Sequence, residues 1–450
     1  MTGYLNVDEL RALVGADEVD TVVLAMPDMY GRLQGKRLDA RHFLEDILGG
    51  GLNTCSYLLA RDIDMEVSEG FDFATLDTGM PDFTLVPDLP TMRRLPWMPG
   101  AVLVTADVQW GEDRPVVQAP RSILRRQIER LEERGWTAMV STELEFLLFE
   151  NGYRDAHERR YHGLRAATYY DSDYSIVGTS RQEPLMRQVR RAMRDAGMPV
   201  EGITGECNIG QFELGFKYDE AMVTCDNHIL YKEGIKEIAM QNDVSVTFMP
   251  KFDGGAGNSC HVHFSLYDEQ GDPVFATGRP GEMSQTLERF IAGQLAAARE
   301  LSLFAAPSIN AYKRFGGGFA PGGLSWGRDN RTSAIRVLGE GRGLRLENRL
   351  PGGDANPYLA VAAVIAAGLH GVDAGLELEP EAVGNVYDRE GDGMPRSLLE
   401  AAELWAESDI AAAGFGPEVV HHYANAAFKE VEAFEAATTD WERARGFERM

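Results

Sequence analysis

In Ser141-Thr142-Glu143-Leu144-Glu145-Phe146-Leu147-Leu148-Phe149 apolar side chains alternate with others, and the alternation begins upstream at Trp136. Ala138, Val140, Leu144, Phe146 and Leu148 fall on one face, the pattern of a strand that covers a core. Glu143 and Glu145 are two residues apart and point together from the opposite face. Neighbouring carboxylates inside a buried sheet repel and lose hydration, so they require cations. On an exposed edge strand the same pair would simply be solvated. Four further glutamate and histidine positions in comparable settings favour the buried alternative.

The chain around this strand has 450 residues, enough for two domains, with 44% hydrophobic and 25% charged residues. A formal charge of −26 argues against a surface for nucleic acid or anionic membrane, which would need clustered Lys and Arg. Cys55, Cys207, Cys225 and Cys260 show no CxxC spacing, which predicts free thiols in a reducing cytoplasm. Asp8 and Glu9 stand where a signal peptide would be basic and then apolar. Tyr358–Leu369 is the longest apolar run; it is too short to span a bilayer and predicts a buried core helix.

Residues 1–113 read as a first unit, with strands at Val19–Met26 and Val102–Val108, a short helix at Arg41–Leu48 and a turn-rich stretch from Pro81 to Pro99. The second unit, 114–450, opens with a helix at Ala119-Pro120. Helices are expected at Pro184–Gly197, Asp219–Gln241 and Met283–Ala305, and a strand at Val244–Met249. Gly202–Phe216 is strand-like but interrupted by Gly205 and Gly210. Glu206 and Glu213 lie an odd number of residues apart, so one straight strand would place them on opposite faces. A turn or bulge at Asn208-Ile209-Gly210 would bring them together. Past the loop Gly254–Gly257, His261 and His263 share one strand face, and near the end Arg345, Glu347 and Arg349 share another.

Glu143, Glu145, Glu206, Glu213, Glu347 and His261 form a hard, oxygen-rich ligand set with a single imidazole, suited to Mg²⁺ or Mn²⁺ rather than zinc. Six ligands divide most simply as three for each of two ions. Arg314, Arg331, Arg336, Arg345 and Arg349 accompany them, and arginine is the side chain for two-pronged capture of carboxylate and phosphate. Divalent cations beside an arginine cluster indicate phosphoryl transfer. No lysine is followed by Ser or Thr, so no P-loop holds the nucleotide. The bland alternatives are a salt-bridge ladder at Arg345, Glu347 and Arg349, and a core histidine at His263.

These residues resemble the glutamine synthetase family over nearly the whole chain. The motifs, in order, are Glu143-Leu-Glu145-Phe, Glu206 with Gly210-Gln211-Phe212-Glu213, Gly257-Asn-Ser-Cys-His261-Val-His263-Phe-Ser265, Asn310-Ala-Tyr312-Lys313-Arg314, Asn330-Arg331 with Ile335-Arg336, Arg345-Leu-Glu347-Asn-Arg349, and Asn356-Pro-Tyr-Leu. The resemblance implies an α+β fold: an N-terminal β-grasp domain and a catalytic domain with a curved antiparallel sheet. It also implies a dodecamer of two hexameric rings with sites between neighbouring subunits. By the same resemblance Glu145, Glu206 and Glu213 would hold one metal, and Glu143, His261 and Glu347 the other, nearer the phosphates of ATP. Arg314 and Arg349 would grip glutamate, with Glu145 and Gly257 lining its site. Arg331, Arg336 and Arg345 would bind phosphate, Arg331 and His263 acting catalytically on the transferring group. Tyr218 and Ser265 would pack the base and sugar. The implied reaction passes through γ-glutamyl phosphate, which an amine then cleaves.

The ammonia-using members carry a glutamate in the flap after the Tyr-Lys-Arg motif. Here the flap reads Arg314-Phe-Gly-Gly-Gly-Phe319-Ala320-Pro321, one residue shorter and with Phe319 at that position. Their N-terminal-domain aspartate aligns near Asn53. Without these acids an ammonium entering a dry site bears an uncompensated desolvation cost of several kcal/mol. An apolar lining instead suits an amine with an organic tail, as in the actinobacterial branch that makes γ-glutamyl-amides from ethanolamine or polyamines. The competing expectations are an ammonia-using glutamine synthetase and a non-catalytic structural or regulatory member. Ala256 replaces an Asn of the bacterial enzymes, and Asn385-Val-Tyr387-Asp resembles their adenylylation segment, although a plain surface tyrosine is the simpler reading.

Overall fold

The computed structural model describes residues 3–111, 113–315, 319–387 and 393–449. Six strands build a small sheet: β1 (Thr21–Pro27), β2 (Leu33–Asp39), β3 (Leu52–Cys55), β4 (Asp82–Pro87), β5 (Arg93–Arg94) and β6 (Ala101–Gln109). Their order is β2-β1-β6-β4-β3, with β5 also on β6. Only the β1–β6 pair is parallel. The expected helix near Arg41 begins at Ala40, because the Asp39 carboxylate accepts the backbone N–H of Arg41 and His42.

A second sheet has nine strands: β7 (Trp136–Phe149), β8 (Val200–Gly205), β9 (Gln211–Phe216), β10 (Asp219–Glu220), β11 (Ser245–Thr247), β12 (Cys260–Asp268), β13 (Trp326–Arg328), β14 (Ile335–Leu338) and β15 (Arg345–Asn348). The order is β13-β14-β15-β12-β7-β9-β8, with β10 and β11 also on β7. All pairs are antiparallel except β13–β14. The strand read from its alternation is thus the centre of the larger sheet. Its apolar face covers the core, and its acidic face is left for chemistry. The class is α+β, as the resemblance implies.

Pro357–Ala374 is long and apolar enough to cross a membrane, but 72% of it is buried within the protein. It packs against the helix Gln285–Ala297, whose Phe290 stacks on Phe264 of β12. Asn356 starts the apolar helix by accepting the Tyr358 N–H, and its amide donates to the carbonyls of Asp28 and Met29. That residue therefore ties the first hundred residues to the larger sheet's helices. Arg121, buried, does the same work electrostatically, pairing with Asp88, Asp107 and Asp226.

The single helix expected over Met283–Ala305 is two, Gln285–Ala297 and Ser302–Ala305. The intervening turn is fixed from outside: Arg299 pairs with Glu400, and Glu300 accepts a hydrogen bond from Ser408. Tertiary contacts here outweigh helix propensity.

His422 is fully buried between Phe71 and Phe73, and burial pushes its pKa down to about 3. The folded state keeps it neutral while the unfolded chain protonates it below roughly pH 6.5. Stability is therefore lost as pH falls below that value, at up to about 1.4 kcal/mol per pH unit. Urea unfolding at pH 7.5 and 5.5 should show a smaller acid loss for His422→Gln than for wild type. Equal losses would mean the histidine does not drive it.

Candidate active site

Strand register brings the singled-out side chains to one face. Glu143 on β7 sits opposite His261 on β12, and His263 opposite Glu347 on β15. Glu347 in turn faces Arg336 on β14, and Glu145 faces Glu213 on β9. Cross-strand partners share a sheet face, so an ExE, an HxH and an RxExR pattern meet.

β8 and β9 form a hairpin in which Thr204 is opposite Glu213. The Glu206 N–H donates to the Gln211 carbonyl at 3.0 Å, so Glu206 and Glu213 share a face across the turn. The turn foreseen at Asn208–Gly210 is what reverses the chain. Gly210 has φ +80°, and a Cβ there would lie 2.9 Å from the Leu148 carbonyl oxygen.

His263 Nε2 lies 2.9 Å from Glu143 Oε1. His261 Nδ1 is 3.3 Å from Glu143 Oε2 and 3.5 Å from Glu347 Oε1. Ligand atoms of Glu143, His263 and Glu347 all fall within 4.8 Å of one another, so the tight group holds His263 where His261 was expected, and His261 stands next to it. Arg345 Nε donates to His263 Nδ1 at 3.2 Å, which leaves the proton of a neutral ring on Nε2, facing Glu143. Glu347 is fully buried and held by Arg336 at 3.0 Å and by Arg349. The ladder alternative is thus half right: Arg349 does pair with Glu347, but Arg345 turns to His263.

Burial would raise the Glu143 pKa, yet His261 and His263 outweigh it and hold the group well below the usual carboxylate range. Glu347 is also lowered, burial being overcome by His261, Arg349 and His263. The other half of the cluster goes the opposite way. Glu206 is pushed up to about 8 by burial and then by Glu145, Asp173 and Glu143. Glu213 rises well above its ordinary value through burial and four neighbouring glutamates. Glu145 has its oxygens occupied by the Ser259 N–H and hydroxyl and by the Gln211 amide. Protein cations serve the Glu143–Glu347 side and leave the Glu206–Glu213 side short of positive charge. Such a deficit, in an all-oxygen donor set, fits a hard divalent cation.

Beside the cluster lies a cavity of about 840 Å³ lined by Glu143, Glu213, His263, Ser265, Tyr218 and Arg345, within the size range of small-molecule sites. The expected nucleotide residues Tyr218 and Ser265 are therefore beside the carboxylates. Phe216, Tyr267 and Arg342 also line it and were not singled out from sequence; nothing in a strand pattern separates such residues from ordinary core or surface. Asp173 was missed as well. Its carboxylate groups with Glu206 and the Cys207 thiol within 4.8 Å, although it lies on a loop without periodicity.

The remaining expected residues divide. A Cβ on Gly257 would sit 2.3 Å from the Pro250 carbonyl oxygen, so only glycine fits there. Arg314 is buried, donates to the carbonyls of Leu350 and Arg349, and is lowered to about 10 by burial; two of its donors are already committed to backbone. Arg331 is exposed, and its charge acts against the rise of Glu206. Tyr387 is not a plain surface residue: it is half-buried and donates to the Arg331 carbonyl at 3.4 Å. Phe319 is 64% exposed, next to flap residues 316–318, which lie outside the described residues. Asn53 is on β3, exposed, and accepts the Thr84 hydroxyl.

Comparison with known proteins gives consistent matches. The family profile described as glutamine synthetase, catalytic domain, matches residues 117–445. The chain is similar to a gamma-glutamylethanolamide synthetase of Streptomyces coelicolor, 54% identical over all of this chain and 97% of that protein. It is also similar to a glutamate–isopropylamine ligase of a Pseudomonas species, 35% identical over 97% of each. Among solved structures, ligand-free GmaS superposes with a TM-score of 0.86 at 26% identity, covering 98% of this chain and 100% of that one. A GmaS complex with ADP gives 0.84 at 26% identity, with full coverage of both.

Proposed function

The chain belongs to the glutamine synthetase family, and on that premise we propose that it ligates the γ-carboxylate of glutamate to a primary amine with an organic tail, converting ATP to ADP and phosphate. Ethanolamine is the favoured amine and a polyamine the next. The observation that carries the ligase reading is the electrostatic division of one sheet face beside a nucleotide-sized cavity. A divalent cation there would bring the positive charge that Glu206 and Glu213 lack, and the phosphates it accompanies would meet Arg345 at the rim. Glu145, Glu206 and Glu213 would hold one cation, and Glu143, His261 and Glu347 the second, with His263 beside it as a hydrogen-bond donor. Mg²⁺ or Mn²⁺ suits the donors, and when bound supplies charge neutralisation for phosphoryl transfer.

The chain's own residues do the positioning. Arg345 fixes the His263 tautomer, keeping Nε2–H as a donor beside Glu143, from where it would reach a transferring phosphoryl group. Arg336 and Arg349 hold Glu347 ionised. Gly257 lets the backbone approach the glutamate end. An oxygen of the glutamate γ-carboxylate attacks the terminal phosphorus and ADP leaves. The neutral amine nitrogen then attacks the acyl carbon, the C–N bond forms, the C–O bond breaks, and phosphate departs and takes up the proton that the nitrogen sheds. Activation is needed because an oxide ion is a very poor leaving group and phosphate a good one.

Phe319 carries the amine preference, since an exposed apolar side chain stands where an ammonia user needs an acid. In a phosphate-release assay with ammonia, ethanolamine, putrescine and spermine, wild type should prefer a tailed amine. Phe319→Glu should raise the ammonia-to-ethanolamine ratio by about tenfold, because an acid can pair with a desolvated ammonium. A wild-type preference for ammonia would overturn the amide reading in favour of glutamine synthesis.

We infer an assembly of two hexameric rings in which a neighbour's small sheet, with Asn53, closes the amine pocket; light scattering of the purified protein tests the stoichiometry. Four cysteines without disulfides support a reducing, cytoplasmic setting.

A further inference from the structure

Behind the sheet, away from the carboxylate cluster, is a second cavity of about 480 Å³. One wall is the long helix Ala221–Gln241, another is the segment Val246–Pro250 after β11, and residues 30–32 and 63 of the first unit close it. Ile229, Val246, Phe248 and Pro250 make its surface partly apolar. Its charged groups are unusual in being both present and unspent.

Lys232 and Lys236 stand one turn apart on the helix and both lie over the Phe248 ring, at 5.3 and 5.7 Å from its centroid. Among the described residues neither ammonium has a carboxylate within 4.0 Å. Lys232 donates one hydrogen bond, to the Gly353 carbonyl, and has two N–H groups to spare. On the acidic side, Asp354 Oδ1 is buried without a partner, while its other oxygen takes the Ser308 hydroxyl. Glu233 and Glu430 line the same space, and their carboxylates make no protein hydrogen bond among the described residues. Arg32 is on the wall too, but its guanidinium is committed to Asp28 and to the carbonyls of Asp62 and Ile63. Unpaired charges of both signs in one partly apolar, partly dehydrated space are costly. They would be relieved by a ligand carrying one charge of each sign on an apolar body.

The geometry points to a second small-molecule site here, for a free apolar α-amino acid, its carboxylate at Lys232 and Lys236 and its ammonium at the Glu233, Glu430 and Asp354 side. A route of hydrogen bonds joins this cavity to the glutamate end of the active site. Lys232 holds the Gly353 carbonyl at 2.9 Å, and the Gly353 N–H donates to the Asn258 carbonyl at 3.0 Å. The Asn258 side chain accepts from Gln211 at 3.0 Å, and Gln211 donates to Glu145 at 3.0 Å. A ligand carboxylate that draws the Lys232 ammonium toward itself and lengthens its bond to Gly353 would loosen the loop that positions Glu145. Occupancy should therefore raise the KM for glutamate; that coupling rests on the ligase reading, whereas the binding itself does not.

Calorimetric titration of the full-length protein with L-leucine and L-phenylalanine tests the site, with isovalerate and isoamylamine as singly charged controls. At least one of the two amino acids should bind, and the controls should bind about tenfold or more weakly. Lys236→Met and Glu430→Gln should each weaken binding about tenfold, with kcat in the absence of amino acid unchanged, whereas Arg349→Lys should leave it alone. Binding by neither amino acid overturns the proposal. So does binding that both cavity variants leave intact, or that Arg349→Lys alone abolishes, which would place the ligand in the active site. Binding with an unchanged glutamate KM would sink the coupling. Calorimetry reads the site even if no amine is ever ligated, so the two readings fail separately.

Discussion

Glu347→Ala is expected to reduce kcat by about a thousandfold or more, the scale of losing a preorganised electrostatic group in a water-poor site. The residue is fully buried on β15, faces His263 and Arg336 across the sheet, and meets Arg336, Arg349 and His261. Its ionised form is favoured there, so it is an anion held ready for a cation. Truncation also leaves two guanidinium groups without their shared carboxylate, and breaking a buried pair commonly costs about 3–5 kcal/mol of stability. Glu347→Gln separates the two effects. The amide keeps shape and hydrogen-bonding oxygen but not the charge, so it should fold like wild type by circular dichroism and still lose most turnover. Near-wild-type activity of the Gln variant at saturating Mg²⁺ would assign Glu347 to a structural ion pair.

The opposite behaviour is expected at Glu213, where removing an acid of the proposed metal site should stabilise the metal-free protein. Burial and four surrounding glutamates raise its pKa. For an acid with a raised folded pKa, the native state binds more protons than the unfolded chain above about pH 4.5. Stability is therefore lost as pH rises past that point. Glu213→Gln abolishes this penalty. Its Tm in EDTA at pH 7.5 should exceed that of wild type by roughly 3 °C or more, while added Mg²⁺, which should raise the wild-type Tm, has little further effect on the variant. Activity should fall to near background. A lower Tm in EDTA than wild type would show that the cluster is already compensated without metal, and the charge-deficit argument would fail.

The local code was read well because it is local. Alternation along Trp136–Phe149, two-residue spacing in Glu143/Glu145 and His261/His263, and the Pro-led apolar run after Asn356 each depend on one element. They determined the central strand, its acidic face and the buried helix, and with the order of motifs they pointed to the family. The Glu206–Glu213 pair needed only a glycine turn, and Gly210 stood where that turn was required.

Tertiary structure decided what depends on neighbours far along the chain. Register placed Glu347 between Arg336 and Arg349 and sent Arg345 to His263. Contacts from Glu400 and Ser408 pinned the turn where the periodic pattern continued. Asp173 joined the cluster from an irregular segment, and the rear cavity arose where residues 30–32 and 63 close over the Lys232–Lys236 helix. The physical reason is the range of the interactions. Side-chain direction along a strand or helix follows from backbone geometry a few residues long, whereas burial and charge pairing are set by whatever the fold brings within a few ångströms. A sequence therefore names the groups, and the packed structure assigns their partners.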